Sequence, residues 1–187
     1  MPEPLTKEEA KKLIRACNGG YTGFRDKAYL SLLYRCGLRN NECRMLDIED
    51  LRAEGDWSIR VRYPKGVANG AKPRSVGIDQ GTREHLETWL AFRGTAPGPL
   101  FMTTKGKRLD TSHFRRKVKI LSKAAGITRR VHPHALRHTF ARTMHDEGVS
   151  MRLIQLALGH SRLDTTATYL QSLGDPEVIA TTAGREW

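Results

Sequence analysis

A mainly helical α+β domain with one small antiparallel sheet is what this sequence predicts, and three patterns predict it. Apolar residues recur at three- and four-residue spacing through most of the chain. From Trp57 to Ile78 the spacing shortens to two, the period of a strand. Glycines and cap-forming side chains stand where the helical stretches should begin and end. At 187 residues, 39% of them hydrophobic, the chain suits one domain with enough apolar material for a core.

The elements follow in order. Thr6 and Glu9 form a Thr-x-x-Glu capping box, after which Ala10, Leu13, Ile14 and Cys17 make one helical stripe that Gly19-Gly20 ends. A second helix is predicted from about Phe24 to Cys36, with Ala28, Leu32 and Leu33 buried and Gly37 as its stop. Arg39 follows at once, before a short helix carrying Glu42, Met45 and Leu46, with Asn41 as its expected cap. Trp57, Ile59, Val61 and Tyr63 alternate with polar residues, and Val76 and Ile78 continue the pattern. The polar, glycine-bearing connection from Pro64 to Pro73 makes these two runs a hairpin with a long loop. Asp79 can cap a helix through Leu90, and Gly94 to Pro99 reads as a loop. Further helices are expected at Thr111 to Ala125, His134 to Glu147, Met151 to Leu158 and Thr165 to Gln171.

Charge narrows the function classes. Lys and Arg number 32 against 20 acidic residues, a formal net charge of +12. That balance favours a polyanion, nucleic acid first, with a generic basic protein as the plainer alternative. No apolar run approaches the roughly 18 residues of a membrane span, and Met-Pro-Glu-Pro does not open a signal peptide. Cys17, Cys36 and Cys43 have neither metal-ligand nor framework spacing, and Cys17 and Cys36, on apolar helix faces, read as buried free thiols of a reducing compartment. A cytoplasmic, nucleoid-associated protein without a membrane partner is expected.

Three blocks carry chemistry. In Pro133-His134-Ala135-Leu136-Arg137, His134 and Arg137 stand three apart near a helix start, an arrangement suited to a phosphate. A capping histidine beside a surface arginine would explain the same pair. In Leu158-Gly159-His160 through Tyr169, a histidine follows a helix-ending glycine and a tyrosine sits inside the next short helix. Alone, such a tyrosine is a packing residue; with an activating partner it is a nucleophile. In Gly37-Leu38-Arg39-Asn40-Asn41-Glu42, the Arg-x-x-Glu spacing fits an ordinary helix-start pair as well as a site.

Together, in this order and with this local spacing, the three blocks resemble the signature of the tyrosine recombinase, or phage integrase, family, over Leu5 to about Tyr169. The resemblance implies the family's catalytic-domain fold over residues 1–173, with 174–187 as a tail that docks on a neighbouring protomer. It implies a catalytic set of Arg39, His134, Arg137, His160 and Tyr169, with Glu42 as acidic support. The family's hairpin lysine maps onto Lys65 in Pro-Lys-Gly, with Lys72 as its rival.

It implies double-stranded DNA as substrate, cut and rejoined through a 3′-phosphotyrosyl bond, with protomers associating on the DNA as dimers or tetramers. No metal, ATP or small-molecule cofactor is expected, since arginines crowd the histidines and no acidic ligand pair accompanies them. Arg115, Arg116, Lys117, Lys119, Arg129 and Arg130 are expected to grip the DNA backbone, which positions without specifying sequence. Relatives carry a helical core-binding domain ahead of the catalytic one. This chain begins where the catalytic domain begins, so weaker and strongly salt-dependent binding is expected. A topoisomerase-like nicking and closing activity, or a DNA-binding regulator that keeps the fold without chemistry, are the competing readings.

Overall fold

The computed structural model describes residues 4–64 and 72–159. Lys65, His160, Tyr169, the helix expected at 165–171 and the tail at 174–187 lie outside the described residues. Within them the architecture is mainly helical with a three-stranded antiparallel sheet.

The first helix, α1 (Lys7–Arg15), begins at Thr6 as its capping box requires. The Thr6 side chain accepts from the Glu9 amide, and Glu9 returns a bond to the Thr6 amide. Its buried residues, Ala10, Leu13 and Ile14, are those of the predicted stripe.

The second helix, α2 (Gly20–Arg35), starts four residues before the expected position. The glycine pair that reads as a stop is here a start: Gly19 is extended and Gly20 has φ +78°. Gly23 lets the chain fold back closely, since a Cβ there would stand 1.7 Å from the Asn18 carbonyl oxygen. Tertiary contacts hold this poorly propensed first turn. Tyr21 packs edge-on against Trp89 at 4.9 Å and donates to the Thr103 carbonyl. Every residue from Ala28 to Tyr34 is buried, six of the seven apolar and Ser31 the exception, so α2 is the central helix of the core.

After Gly37 comes α3 (Asn40–Met45), then a short 3-10 turn and the sheet. Strands β1 (Leu51–Arg52), β2 (Ser58–Val61) and β3 (Arg74–Gly77) lie in that order. β1 was not expected, because two residues are too few to display a period. The register pairs Ile59 with Val76 and Val61 with Arg74. Ile59, Val61 and Val76 are buried, so the register sets Arg74 on the core-facing side.

The fourth helix, α4 (Gln80–Arg93), is capped by Asp79 as predicted and runs three residues beyond Leu90. Arg93 explains the extension: its guanidinium donates to the carbonyls of Gly94, Ala96 and Pro99, binding the loop to the helix end. The remaining helices are α5 (His113–Ala124), α6 (Pro133–Asp146) and α7 (Met151–Leu158). α2 packs chiefly against α4 and α6. A smaller cluster of Phe140, Ala141, Ile154 and Leu158 joins α6 to α7. The three cysteines are buried and free, and burial pushes the Cys17 and Cys36 thiols up to about 12.

Gly37, just past the end of α2, lies against Phe140 of α6. Its φ is +62°, and an added Cβ would lie 2.3 Å from the Phe140 ring. Gly126 has a similar φ of +69° but open space around it. Gly37→Ala should therefore lose about 3 kcal/mol of stability, from left-handed strain plus overpacking, and Gly126→Ala about 1 kcal/mol. Urea denaturation of both variants checks this, and equal losses would show that the Phe140 contact contributes nothing.

Candidate functional site

The candidate site is organised around one carboxylate. Glu42 is the third residue of α3 and is 3% exposed. It accepts from the Arg39 amide at 2.9 Å and from Arg39 Nη1 at 2.8 Å. Arg74, reaching over from β3, donates to both oxygens, at 3.2 Å to Oε1 and 2.9 Å to Oε2. Arg137 Nη1 stands 3.8 Å from Oε2. Burial alone would raise the Glu42 pKa. The hydrogen bonds and charge of Arg74, the Arg39 amide and the charge of Arg137 overturn that and hold it at about 2.

The cap of α3 corrects one expectation. Arg39, not Asn41, occupies the extended cap position, and Glu42 takes up its amide. Asn41 is the second residue of the helix and accepts from the Arg44 guanidinium at 2.9 Å.

Arg137 is fully buried in α6. Its Nη1 donates to the Gly37 carbonyl at 2.5 Å and its Nη2 to the Leu158 carbonyl at 2.6 Å. One side chain thus ties the ends of α2 and α7 to the site. His134, one turn earlier on α6, is exposed. Its ring lies edge-on to His138 at 4.7 Å and 6.5 Å from His132. Burial, then the charges of His134, His132 and Arg137, lowers His138 to about 4. His132 is lowered too, by burial and by Arg130.

Arg39, His132 and His134 open onto a cavity of about 660 Å³, lined also by Asn40, Arg115 and Arg130 among others. Arg115, Arg130 and His132 also line a second hollow of about 720 Å³, with Lys119, Lys123 and Arg129. The two form a continuous basic face of α5, the 126–132 loop and the start of α6. Of the six expected backbone-gripping residues, Arg115, Lys119, Arg129 and Arg130 border it. Arg129 also bonds Glu9 at 2.5 Å and the Pro4 carbonyl at 2.8 Å. Arg116 is exposed and pairs with Asp110 at 3.0 Å.

Lys117 departs from the expectation. Its Nζ reaches the fully buried Asp26 at 2.9 Å, because position 117 falls on the same stripe as the buried Phe114, Val118 and Leu121. Burial would raise the Asp26 pKa, but His113, Arg25 and Lys117 together lower it. Lys72 is exposed at the edge of the described residues, two positions before Arg74.

Arg74, His132 and His138 are the residues that sequence reasoning passed over. Arg74 had a signal: it is an arginine in phase with Val76 and Ile78 on the apolar side of a strand. Among the described residues, no group of three or more His, Cys, Asp and Glu is placed to hold a metal ion.

Two outcomes follow from the electrostatics. Glu42→Ala strands buried guanidiniums and should cost about 3–5 kcal/mol in chemical denaturation; a loss near 1 kcal/mol would mean that the cluster is solvated. His138 binds its proton less readily folded (about 4) than at its ordinary 6.5. The unfolded chain therefore takes up the proton first, and stability falls as pH drops through that window, by roughly 3 kcal/mol at its foot. His138→Gln should remove most of that slope in a Tm-versus-pH series; an unchanged slope would assign it elsewhere.

The comparisons with known proteins agree with this architecture. The family model described as the phage integrase family matches residues 3–174. The tyrosine recombinase XerC of Thermodesulfovibrio yellowstonii is 36% identical over 179 residues, covering 90% of this chain and 58% of the relative. The tyrosine recombinase XerD of Oceanobacillus iheyensis is 30% identical, covering 90% of this chain and 57% of its own length. Among solved structures, the XerA recombinase superposes with a TM-score of 0.83 at 32% identity, covering all of this chain and 65% of that one. The XerH site-specific recombinase, bound to a palindromic difH substrate after cleavage, has a TM-score of 0.80 at 26% identity, covering 98% and 53%. The chain thus spans between half and two thirds of the length of these proteins. With its helical architecture, its small antiparallel sheet and a family match over nearly its whole length, the chain belongs to the phage integrase family of tyrosine recombinases.

Proposed function

We propose that this chain cuts and rejoins double-stranded DNA by attack of Tyr169 on a phosphodiester. The Tyr169 oxygen bonds to phosphorus and the bond to the 5′ oxygen breaks, leaving a 3′-phosphotyrosyl link. The tyrosine proton passes toward His134, and the departing 5′ oxygen takes a proton from Lys65, with Lys72 as the alternative donor. The linkage keeps the energy of the broken bond, so the reverse step rejoins the strand without ATP.

The observation that carries this reading is the Glu42 cluster. It holds Arg39 at the cavity mouth and Arg137 behind it. Among the described residues, Arg39 Nε and Nη2 make no hydrogen bond and are left to meet a phosphate. Arg137 adds a second charge that two carbonyls hold in place, so little reorganisation is needed as charge gathers on the phosphate oxygens. His160 would donate to the same phosphate.

The basic face beside the cavity supports a duplex as the partner, its phosphates following Arg115, Lys119, Arg129 and Arg130. The cleaved-DNA complex of XerH points the same way. Residues 1–173 would be the catalytic unit and 174–187 a contact between protomers assembled on DNA. Among the described residues no helix is long and apolar enough to cross a membrane, and we place the chain at the nucleoid.

The test uses nicked duplexes chosen by binding selection from a random pool. The wild-type protein should leave a denaturant-resistant protein–DNA adduct, Tyr169→Phe none, and Arg39→Ala should slow adduct formation about 10²–10³-fold. No adduct with any selected duplex would favour a DNA-binding regulator. Supercoil relaxation without strand exchange would favour the nicking–closing reading.

A further inference from the structure

We infer that Arg74 is a positioning residue for the phosphate clamp: by taking up the Glu42 carboxylate, it leaves the charges of Arg39 and Arg137 available to substrate. The inference rests on the strand-transfer reading above and concerns a residue outside the set that the family resemblance supplies.

Glu42 has two oxygens and three guanidiniums around it. Arg74 engages both oxygens, whereas Arg39 gives one side-chain bond and Arg137 stays 3.8 Å away. Arg74 is therefore the main counter-charge. The cluster carries three positive charges and one negative, a net of +2 (3 − 1), with Arg74 absorbing the carboxylate. Without Arg74 the net falls to +1 (2 − 1), and Glu42 would draw Arg39 and Arg137 into its own solvation.

The surroundings are shaped to hold Arg74. Its side chain is 9% exposed, and Nε donates to the Ala157 carbonyl at 2.7 Å, near the end of α7. Gly159, with φ +66°, comes so close that a Cβ there would stand 2.8 Å from Arg74 Nη1. One guanidinium therefore spans β3, α3 and the turn after α7.

Single-turnover strand cleavage of the selected nicked duplex tests the inference in wild type, Arg74→Lys, Arg74→Met and the double variant Arg74→Met/Glu42→Gln. A second duplex carries a methylphosphonate at the scissile position, which removes the phosphate's negative charge. Denaturation curves establish that each variant is folded.

Arg74→Met should slow cleavage of the phosphodiester by about 10- to 100-fold, as loss of an orienting partner does elsewhere. It should slow the methylphosphonate far less. The double variant, whose cluster again carries +2, should recover most of the rate, and Arg74→Lys should fall between. Equal slowing on both substrates, or no recovery in the double variant, would make Arg74 a structural strut only. A wild-type rate in Arg74→Met would leave it no role.

If wild type cleaves neither duplex, the strand-transfer reading fails by itself. Calorimetric titration with inorganic phosphate then still decides the charge argument. Weaker binding in Arg74→Met, restored in the double variant, supports it, and unchanged binding overturns it.

Discussion

A carboxylate that is nearly out of contact with water must find its solvation inside the protein, and Glu42 finds it in three arginines and a backbone amide. Removing a charge from water costs several kcal/mol, so such a group persists only where its partners are fixed by the fold. Here those partners come from α3, β3 and α6, three elements remote in sequence. Their meeting at one point is the constraint that the rest of the site depends on. The arrangement is a poor source of stability, because an apolar substitute for the whole cluster would fold as well or better. What it provides is position: each guanidinium is held by a charge that cannot move without exposing another.

The scaffold around it shows how that rigidity is reached. α2 is the most deeply buried helix through Ala28–Tyr34, and just past its end stands Gly37, whose carbonyl receives Arg137 and whose missing side chain admits Phe140. Packing of α6 against α2 and placement of Arg137 are therefore one event. The Leu158 and Ala157 carbonyls, freed at the end of α7, accept from Arg137 and Arg74 respectively. Helix termini leave such acceptors unsatisfied, and here the site's own cations satisfy them. Groups held by regular elements in this way suit a task that tolerates little displacement.

The sequence disclosed those features whose causes are local. The Thr6–Glu9 capping box, the Asp79 cap, the Gly37 stop and the bounds of α7 follow from neighbouring residues and were legible. Features decided by tertiary contact were not. Gly19-Gly20 reads as a terminator until Tyr21 finds Trp89, and Asn41 reads as a cap until Glu42 claims the Arg39 amide. Lys117 reads as surface charge until the α5 stripe turns it toward Asp26. Arg39, Glu42, His134 and Arg137 were singled out through their motifs, yet the arginine that takes up both oxygens of Glu42 was not. Arg74 is in phase with Val76 and Ile78, but only the pairing with Val61 and the approach of α3 bring it to Glu42.

Charge balance joins these points to function. A cluster holding more positive than negative charge in a shielded place is not fully solvated by the protein alone. Its folded state carries an electrostatic deficit that the wider packing, centred on α2, has to offset. On the proposed reading, a phosphodiester at the cavity mouth supplies the missing negative charge, and more of it as the transition state gathers charge on oxygen. The deficit is then the catalytic device itself, because the interaction that the resting site lacks is strongest at the moment of strand transfer. Glu42 sets its size. With all three arginines and no carboxylate the cluster would carry +3 (3 − 0) and press its arginines apart, and with a second carboxylate it would keep only +1 (3 − 2) to offer the phosphate.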